Sequence, residues 1–83
     1  MRVVLSPAAD RDADHLAPDM AERVLAALRG LRENPRPHGS RLLRDREPRT
    51  WRLRVGDWRI LYDVDDAEGI VTILCILHRS RAY

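Results

Sequence analysis

The side chains best suited to chemistry are arginines at alternate positions on either side of a short turn. Residues 51–62 read WRLRVGDWRILY, and the glycine–aspartate pair in the middle is a common two-residue hairpin loop. Because side chains alternate along a strand, Arg52, Arg54 and Arg59 share one face of that hairpin. A guanidinium group matches phosphate oxygens bidentately and keeps its charge at any accessible pH. The pattern predicts a phosphate-binding surface.

The alternative to a binding role is that these arginines simply form a solvated strand face in an arginine-rich chain. The hairpin register places Arg54 directly opposite Arg59, and like charges in that position destabilise an antiparallel pair. We therefore favour the functional interpretation. The other face of the hairpin is apolar or aromatic throughout and is expected to lie in the core, including both tryptophans: Trp51, Leu53, Val55, Trp58, Ile60 and Tyr62.

The last six residues, HRSRAY, add further groups of the same chemistry. Arg79 and Arg81 would extend the cationic surface, and Tyr83 offers a ring on which an RNA base can stack. A histidine exchanges protons near neutral pH, so His78 is a candidate acid or base, although it is equally consistent with the plain end of a strand. We expect this tail to converge with the hairpin arginines. Three histidines far apart and one cysteine match no metal-ligand spacing, so no metal or cofactor is expected.

The length and charge distribution indicate one domain, residues 1–83, with a local anion-binding surface. All fifteen basic residues are arginine, and the formal net charge is only +2. Residues 35–59 carry eight arginines and three acids, whereas residues 60–77 carry four acids and no arginine. The separation favours a confined patch over a uniformly basic arm.

Neither cysteine usage nor the N-terminus suggests export. Cys75 is the one cysteine and lies in an apolar run, where a buried thiol is expected. The opening MRVVLSPAAD is too short an apolar stretch for a signal peptide, and no run approaches the length of a membrane span. We therefore expect a cytoplasmic protein without a membrane partner.

The elements that must position the arginines can be placed in order along the chain. Residues 2–5 read as a strand, and Ser6 followed by Pro7 predicts the start of a short helix. Pro18 marks a second, longer helix, which Asn34 and a proline should end. Residues 35–50 are expected to form a loop with one helical turn at Arg41–Leu43.

After the hairpin, residues 65–69 predict a second turn and residues 70–77 a strand covered on both faces. The expected fold is α+β, with two N-terminal helices packed on a small, mainly antiparallel sheet in the order β-α-α-β-β-β. The first strand should lie beside the last, which makes the last strand central. The arginine face of the hairpin should then lie opposite the helices.

The segment WRLRVGDWRILYDVDD and the terminal HRSRAY together resemble the RelE/ParE superfamily of type II toxin–antitoxin toxins, over nearly the whole chain in element order. The resemblance implies a cognate antitoxin that wraps the toxin in a hetero-oligomer. In the RelE branch it implies cleavage of mRNA in the ribosomal A site, beside 16S rRNA, without a cofactor. By position it implies that Arg59 stabilises the phosphate, that Arg79 supplies a second arginine and that Tyr83 is the terminal tyrosine; we expect these three and His78 to be catalytic. RNA-binding roles are implied for Arg49, Arg52, Arg54 and Arg81.

One departure from the RelE pattern leaves the mechanism open. Arg52 and Arg54 stand where RelE-type toxins often have lysines, and arginine stabilises a phosphorane well but is a poor base. The base would have to be Tyr83, His78, Glu47 or a ribosomal group. A ParE-like toxin that inhibits gyrase without chemistry of its own is the alternative, and an inactive relative in a DNA-binding antitoxin complex is a third.

Overall fold

A computed structural model describes residues 1–44 and 49–81. The elements follow in the order β1 (Arg2–Leu5), α1 (Pro7–Asp14), α2 (Pro18–Glu33), β2 (Arg41–Leu43), β3 (Thr50–Val55), β4 (Trp58–Asp65), β5 (Ile70–His78) and a 3-10 turn (Arg79–Arg81). Within those residues, no helix is both long and apolar enough to cross a membrane.

The five strands form one sheet in the order β1-β5-β4-β3-β2. β1 pairs parallel with β5, and all other neighbours are antiparallel. The predicted hairpin register is confirmed, with Val55 opposite Trp58 and Arg54 opposite Arg59. Gly56 has a φ of 59° and Asp57 does not have a positive φ, which fits a type II′ turn with glycine in its first central position. The predicted α+β fold is confirmed, and β5 lies beside β1 as predicted, although β4 is the central strand of the five.

The helices begin and end where the sequence predicts. The Ser6 hydroxyl accepts a hydrogen bond from the Ala9 N–H and caps α1, and Pro7 takes the first helical position. α2 starts at Pro18 and is capped at its C-terminus by Asn34.

Both helices pack on one face of the sheet. The core between the two layers consists of Ala9, Val24, Leu28, Leu31, Ile60, Tyr62, Val71, Ile73 and Ile76. The arginine face of the hairpin lies on the other side, which we call the open face.

A β-bulge in β5 decides which residues of that strand face the helices. Leu61 pairs with Cys75 whereas Tyr62 pairs with Ile73, so Leu74 is an extra residue between them. Before the bulge the odd-numbered Ile73 faces the core, and after it the even-numbered Ile76 does. The bulge therefore shifts the alternation of all residues that follow, including those at the C-terminal end of the strand.

Three further expectations differ from the structure. Residues 41–43, expected as a helical turn, form the edge strand β2, because each of them has a partner in β3. β5 is covered by helices on one face only. The Cys75 thiol, expected to be buried, is half-buried because the bulge turns it to the open face.

Helix α1 closes the edge of β5 where the short strand β1 ends. The Ser6 N–H donates to the Ile73 carbonyl (2.9 Å), and the Ser6 hydroxyl donates to the Leu74 carbonyl (2.8 Å). Further along, the Ile76 N–H donates to a carboxylate oxygen of Asp12 (2.9 Å). Side chains of one helix thus replace the missing strand as hydrogen-bond partners.

Removal of the Asp12 carboxylate should leave the Ile76 N–H unsatisfied. We expect Asp12→Ala to lower the free energy of unfolding by about 1–3 kcal/mol, the cost of an orphaned, partly buried donor. Asp12→Asn, which keeps an acceptor oxygen, should cost less. Chemical denaturation is the measurement, with Asp14→Ala on the same helix as the control. Equal losses for Asp12→Ala and Asp14→Ala would contradict this role.

An ion pair joins the loop after α2 to the turn between β4 and β5. Arg36 donates to both carboxylate oxygens of Asp66, at 3.2 and 2.7 Å, and its guanidinium lies 5.4 Å from the centre of a Trp51 ring. The hydrogen bond to Asp66 raises the pKa of Arg36, and the same bond lowers the pKa of Asp66. Nearby, the buried Tyr62 hydroxyl donates to the Pro35 carbonyl (2.8 Å), and burial raises the pKa of Tyr62.

The lowered pKa of Asp66 predicts a pH-dependent contribution to stability. Since the carboxyl titrates at lower pH in the folded chain, the ion pair contributes fully above the ordinary carboxyl pKa and is lost as the pH falls through the folded value. Asp66→Asn should therefore destabilise the protein at pH 7, and the difference from wild type should shrink as the pH is lowered or salt is added. Unfolding curves over this pH range test it, with Glu22→Gln as control. A pH-independent difference would exclude the ion pair as the cause.

Candidate functional site

The open face carries a groove of about 280 Å³ beside the hairpin turn. We call it the arginine groove, and it is lined by Arg54, Gly56, Asp57, Trp58, Arg59 and Arg79. β3 and β4 present two of the arginines at paired positions, and the 3-10 turn supplies the third. The structure thus brings together three of the predicted phosphate-binding residues.

Two further arginines extend this surface toward the sheet edge. Arg52 lies on the same face of β3 as Arg54, and β2 places Arg41 opposite Arg52. Arg52 is half-buried and Arg41 is exposed. The sequence analysis did not include Arg41, because its segment was expected to be a loop and a loop has no fixed face.

Asp57 fixes the position of Arg79. The backbone N–H of Arg79 donates to the Asp57 carbonyl (2.8 Å), which continues the pairing of β4 and β5 by one residue. The Arg79 guanidinium also lies 4.0 Å from the Asp57 carboxylate. Both side chains are about two-thirds exposed, so this pair is weak and leaves Arg79 able to bind an anion.

His78 does not line the arginine groove. The bulge in β5 places His78 opposite Trp58, on the helix side of the sheet, and the two rings meet edge to face with centroids 5.2 Å apart. Its Nδ1 accepts the Ser80 N–H (3.3 Å) and lies 2.9 Å from the Ser80 hydroxyl. The neutral ring therefore carries its proton on Nε2.

His78 instead lines a second cavity of about 460 Å³, at the junction of α1 and the end of β5. We call it the side pocket, and it is lined by Arg11, Asp12, His15, Trp58, Ile76, Leu77, His78 and Arg81. Arg79 and Arg81, only two residues apart, thus reach different cavities. Trp58 is a lining residue of both cavities.

The remaining predicted residues lie elsewhere. Arg49 lines a shallow cavity at the opposite, acidic end of the open face, together with Asp63 and Asp65. Tyr83 and Glu47 lie outside the described residues, so their predicted roles stay predictions.

Helix α2 contributes a cation that the sequence analysis missed. A Cβ built on Gly56 would lie 3.1 Å from a guanidinium nitrogen of Arg23, so Arg23 reaches the hairpin turn from the helix side. Arg23 is exposed and next to the apolar Val24, and nothing in the helical spacing distinguishes it from other surface arginines of α2. Only the packing of α2 against the hairpin reveals its position.

The arrangement is suited to holding a phosphate. Guanidinium groups from three segments surround one groove, and Asp57 is the single carboxylate among its lining residues. In the described part of the chain, no three His, Cys, Asp or Glu side chains are placed to hold a metal ion. The described side chains of the groove can stabilise charge on a phosphoryl group, and the Asp57 carboxylate is the one group among them that could accept a proton.

Comparison with known families identifies the chain. The family model for the ParE toxin of the type II toxin–antitoxin system parDE matches residues 3–83. The chain belongs to this family of type II toxins, within the RelE/ParE superfamily. No curated protein matches it.

Solved structures agree with the toxin's fold. It is 32% identical to a chain of the RelBE2 toxin–antitoxin complex of Mycobacterium tuberculosis, covering 94% of the toxin and 96% of that chain with a TM-score of 0.81. It is 25% identical to a chain of the RelE–RelB complex of Pyrococcus horikoshii; the match covers 98% of the toxin and 97% of that chain, with a TM-score of 0.84. Isolated Escherichia coli RelE, at 19% identity, shares the fold; the match covers 93% of the toxin and 82% of that chain, with a TM-score of 0.79.

The pairing of Arg54 with Arg59 predicts that the toxin gives up stability for binding. We expect Arg54→Gln to raise the free energy of unfolding by about 0.2–1 kcal/mol at low salt, because it removes like-charge repulsion across the hairpin. The same variant should bind single-stranded RNA more weakly. The slope of the logarithm of the binding constant against the logarithm of the salt concentration should become shallower by about 0.7. Denaturation and fluorescence anisotropy give the two quantities.

Arg29→Gln, on the exposed face of α2, is the matched control for charge. It should change neither quantity appreciably. If Arg54→Gln destabilised the toxin, like-charge repulsion across the hairpin would be excluded. If it left RNA binding intact, the binding role of Arg54 would be excluded.

Proposed function

We propose that this toxin is a ribosome-dependent endoribonuclease that cleaves mRNA in the A site. The observation that carries the proposal is the convergence of Arg54, Arg59 and Arg79 on one groove. Such a cluster can bind a phosphodiester and stabilise the additional negative charge of its transition state. The proposed substrate implies that the toxin acts in the cytoplasm.

In the proposed reaction the 2′-hydroxyl of one nucleotide attacks the neighbouring phosphorus. The bond from phosphorus to the 5′-oxygen breaks, which leaves a 2′,3′-cyclic phosphate and a free 5′-hydroxyl. Arg59 and Arg79 stabilise the phosphorane. Proton transfer from the 2′-hydroxyl and to the leaving oxygen is assigned to Tyr83, Glu47 or a ribosomal group, since His78, the other candidate, faces the side pocket and does not line the groove.

The other arginines are assigned to RNA binding. Arg52 and Arg54 continue the cationic surface along β3, and Arg81 lies in the adjacent side pocket. Arg49 lies at the far end of the open face, where it would contact a more distant phosphate or 16S rRNA.

The partner is proposed to be a cognate antitoxin that forms a hetero-oligomer with the toxin. Two of the similar structures are toxin–antitoxin complexes, from M. tuberculosis and P. horikoshii. An acidic antitoxin segment would complement the exposed arginines of the open face and block the groove.

Inhibition of gyrase by binding alone is the second candidate, because the matching family is described as ParE toxins. It also requires no base, and the one carboxylate among the described lining residues of the arginine groove, Asp57, is exposed and lies beside Arg79. The two candidates differ in whether RNA is cut.

Replacement of Arg59 by alanine tests the role of the groove. We expect a loss of mRNA cleavage by about 10²–10³-fold, the scale of removing one transition-state donor. The thermal midpoint should fall much less than it does in Ile60→Ala, a truncation of the adjacent buried residue. Growth inhibition and mapping of mRNA 5′ ends after induction are the measurements. Wild-type toxicity of Arg59→Ala at equal soluble level would refute the assignment.

Two further measurements separate the candidate functions. If the nuclease proposal holds, purified wild type cuts mRNA only on ribosomes, and Tyr83→Phe shows whether a hydroxyl takes part. If wild type cuts no mRNA on ribosomes but blocks supercoiling by gyrase, the ParE-like function replaces the nuclease.

A further inference from the structure

The side pocket is lined by both apolar and charged side chains. Trp58 and Ile76 provide apolar side chains, and Arg11 and Arg81 bring two positive charges. The one carboxylate, Asp12, is engaged by the Ile76 N–H. A volume of about 460 Å³ is within the range of sites for small organic ligands.

The two histidines offer complementary hydrogen-bonding groups. His15 Nδ1 lies 2.7 Å from the Arg11 carbonyl; since a carbonyl only accepts, Nδ1 carries the proton and Nε2 of the neutral ring is an acceptor. His78 has the opposite arrangement, with an accepting Nδ1 and a proton on Nε2. One acceptor and one donor in the same cavity match the edge of a nucleobase, which presents both.

The position of the side pocket relates it to the arginine groove. Trp58 lines both cavities, and the 3-10 turn directs Arg79 into the groove and Arg81 into the pocket. Both cavities lie at the hairpin end of β5, the groove on the open face and the pocket on the helix side, so an RNA strand that passes around this end can place one nucleotide in each. The indole also gives a surface on which a base can stack.

We propose that the side pocket binds the base and phosphate of the RNA nucleotide adjacent to the one held in the arginine groove. The proposal rests on the proposed function, since it takes RNA as the ligand of the groove. Trp58 and the two imidazoles contact the base, and Arg11 and Arg81 bind the phosphate.

The test compares an RNA trinucleotide with a nucleoside monophosphate, both without ribosomes, on the purified full-length toxin. Isothermal titration gives the affinities, and the Trp58 indole N–H resonance reports occupancy. Wild type should bind the trinucleotide at least about tenfold more tightly than the monophosphate, the scale of one added base contact. A trinucleotide lacking its bases should lose that advantage.

Two pocket variants with matched controls locate the effect. Arg11→Gln combined with His15→Ala should abolish the trinucleotide advantage and weaken trinucleotide binding, because both ligands are then held by the arginine groove alone. Arg29→Gln combined with His38→Ala, also exposed positions, should alter neither. Because His15 caps the end of α1, Arg81→Gln, outside any α-helix, provides a second test and should also reduce the advantage. An unchanged advantage in both pocket variants would overturn the proposal.

Failure of the pocket and failure of the nuclease function are distinguishable. Cleavage of mRNA on ribosomes, together with a trinucleotide advantage that the pocket variants do not affect, would refute the pocket alone. A pocket-dependent trinucleotide advantage in a toxin that cuts no mRNA would support the pocket and refute the nuclease function.

Discussion

The pairing of β4 with β5, and the bulge within it, is the constraint on which the site depends. Leu74 is the extra residue, and its insertion reverses the facing of every later residue in β5. As a result Leu77 lies opposite Arg59 on the open face, and His78 lies opposite Trp58 on the helix side. A regular strand would have exchanged them and placed the imidazole among the arginines. The position of His78 in the side pocket follows from this single insertion, and the 3-10 turn after it separates Arg79 from Arg81.

The edge of β5 beyond the bulge has backbone groups that β1 does not reach. β1 pairs only as far as Ile73, and the strand continues to His78. Helix α1 supplies the missing partners through Ser6 and Asp12. The same helix thereby lies beside the end of β5 and forms one wall of the side pocket. A requirement of the fold, the satisfaction of buried backbone groups, thus creates a cavity next to the arginine groove.

Charge is arranged on the open face at some cost to the fold. Arg54 opposite Arg59, and Arg41 opposite Arg52, place like charges in direct cross-strand pairs. The acidic residues lie at the other end of the same face, around Arg49. Among the described residues that line the arginine groove, the exposed Asp57 is the one acid at the cationic end. This polarity directs an anionic ligand to the hairpin turn and supports the proposal that an acidic antitoxin segment binds this face.

Much of the architecture could be predicted from the sequence, because strong local signals coincide there. Alternation on both sides of Gly56 gave the hairpin register, and Ser6 with Pro7 gave the start of α1. The short strand Arg41–Leu43 was missed, since three residues carry too little periodicity to distinguish a strand from a turn. The open-face arginines were found for the same reason as the hairpin, through side-chain alternation.

The division of the terminal residues could not be read from the sequence. Residues 70–77 are almost uniformly apolar, so no alternation marks where the bulge reverses the faces. The position of His78, the reach of Arg23 to Gly56 and the side pocket itself depend on contacts between segments distant in the chain. The sequence by itself determined that arginines would share one face of a hairpin, because alternation is local. Only the tertiary structure decided which terminal side chains join them, because a bulge is fixed by the packing of both faces of the strand.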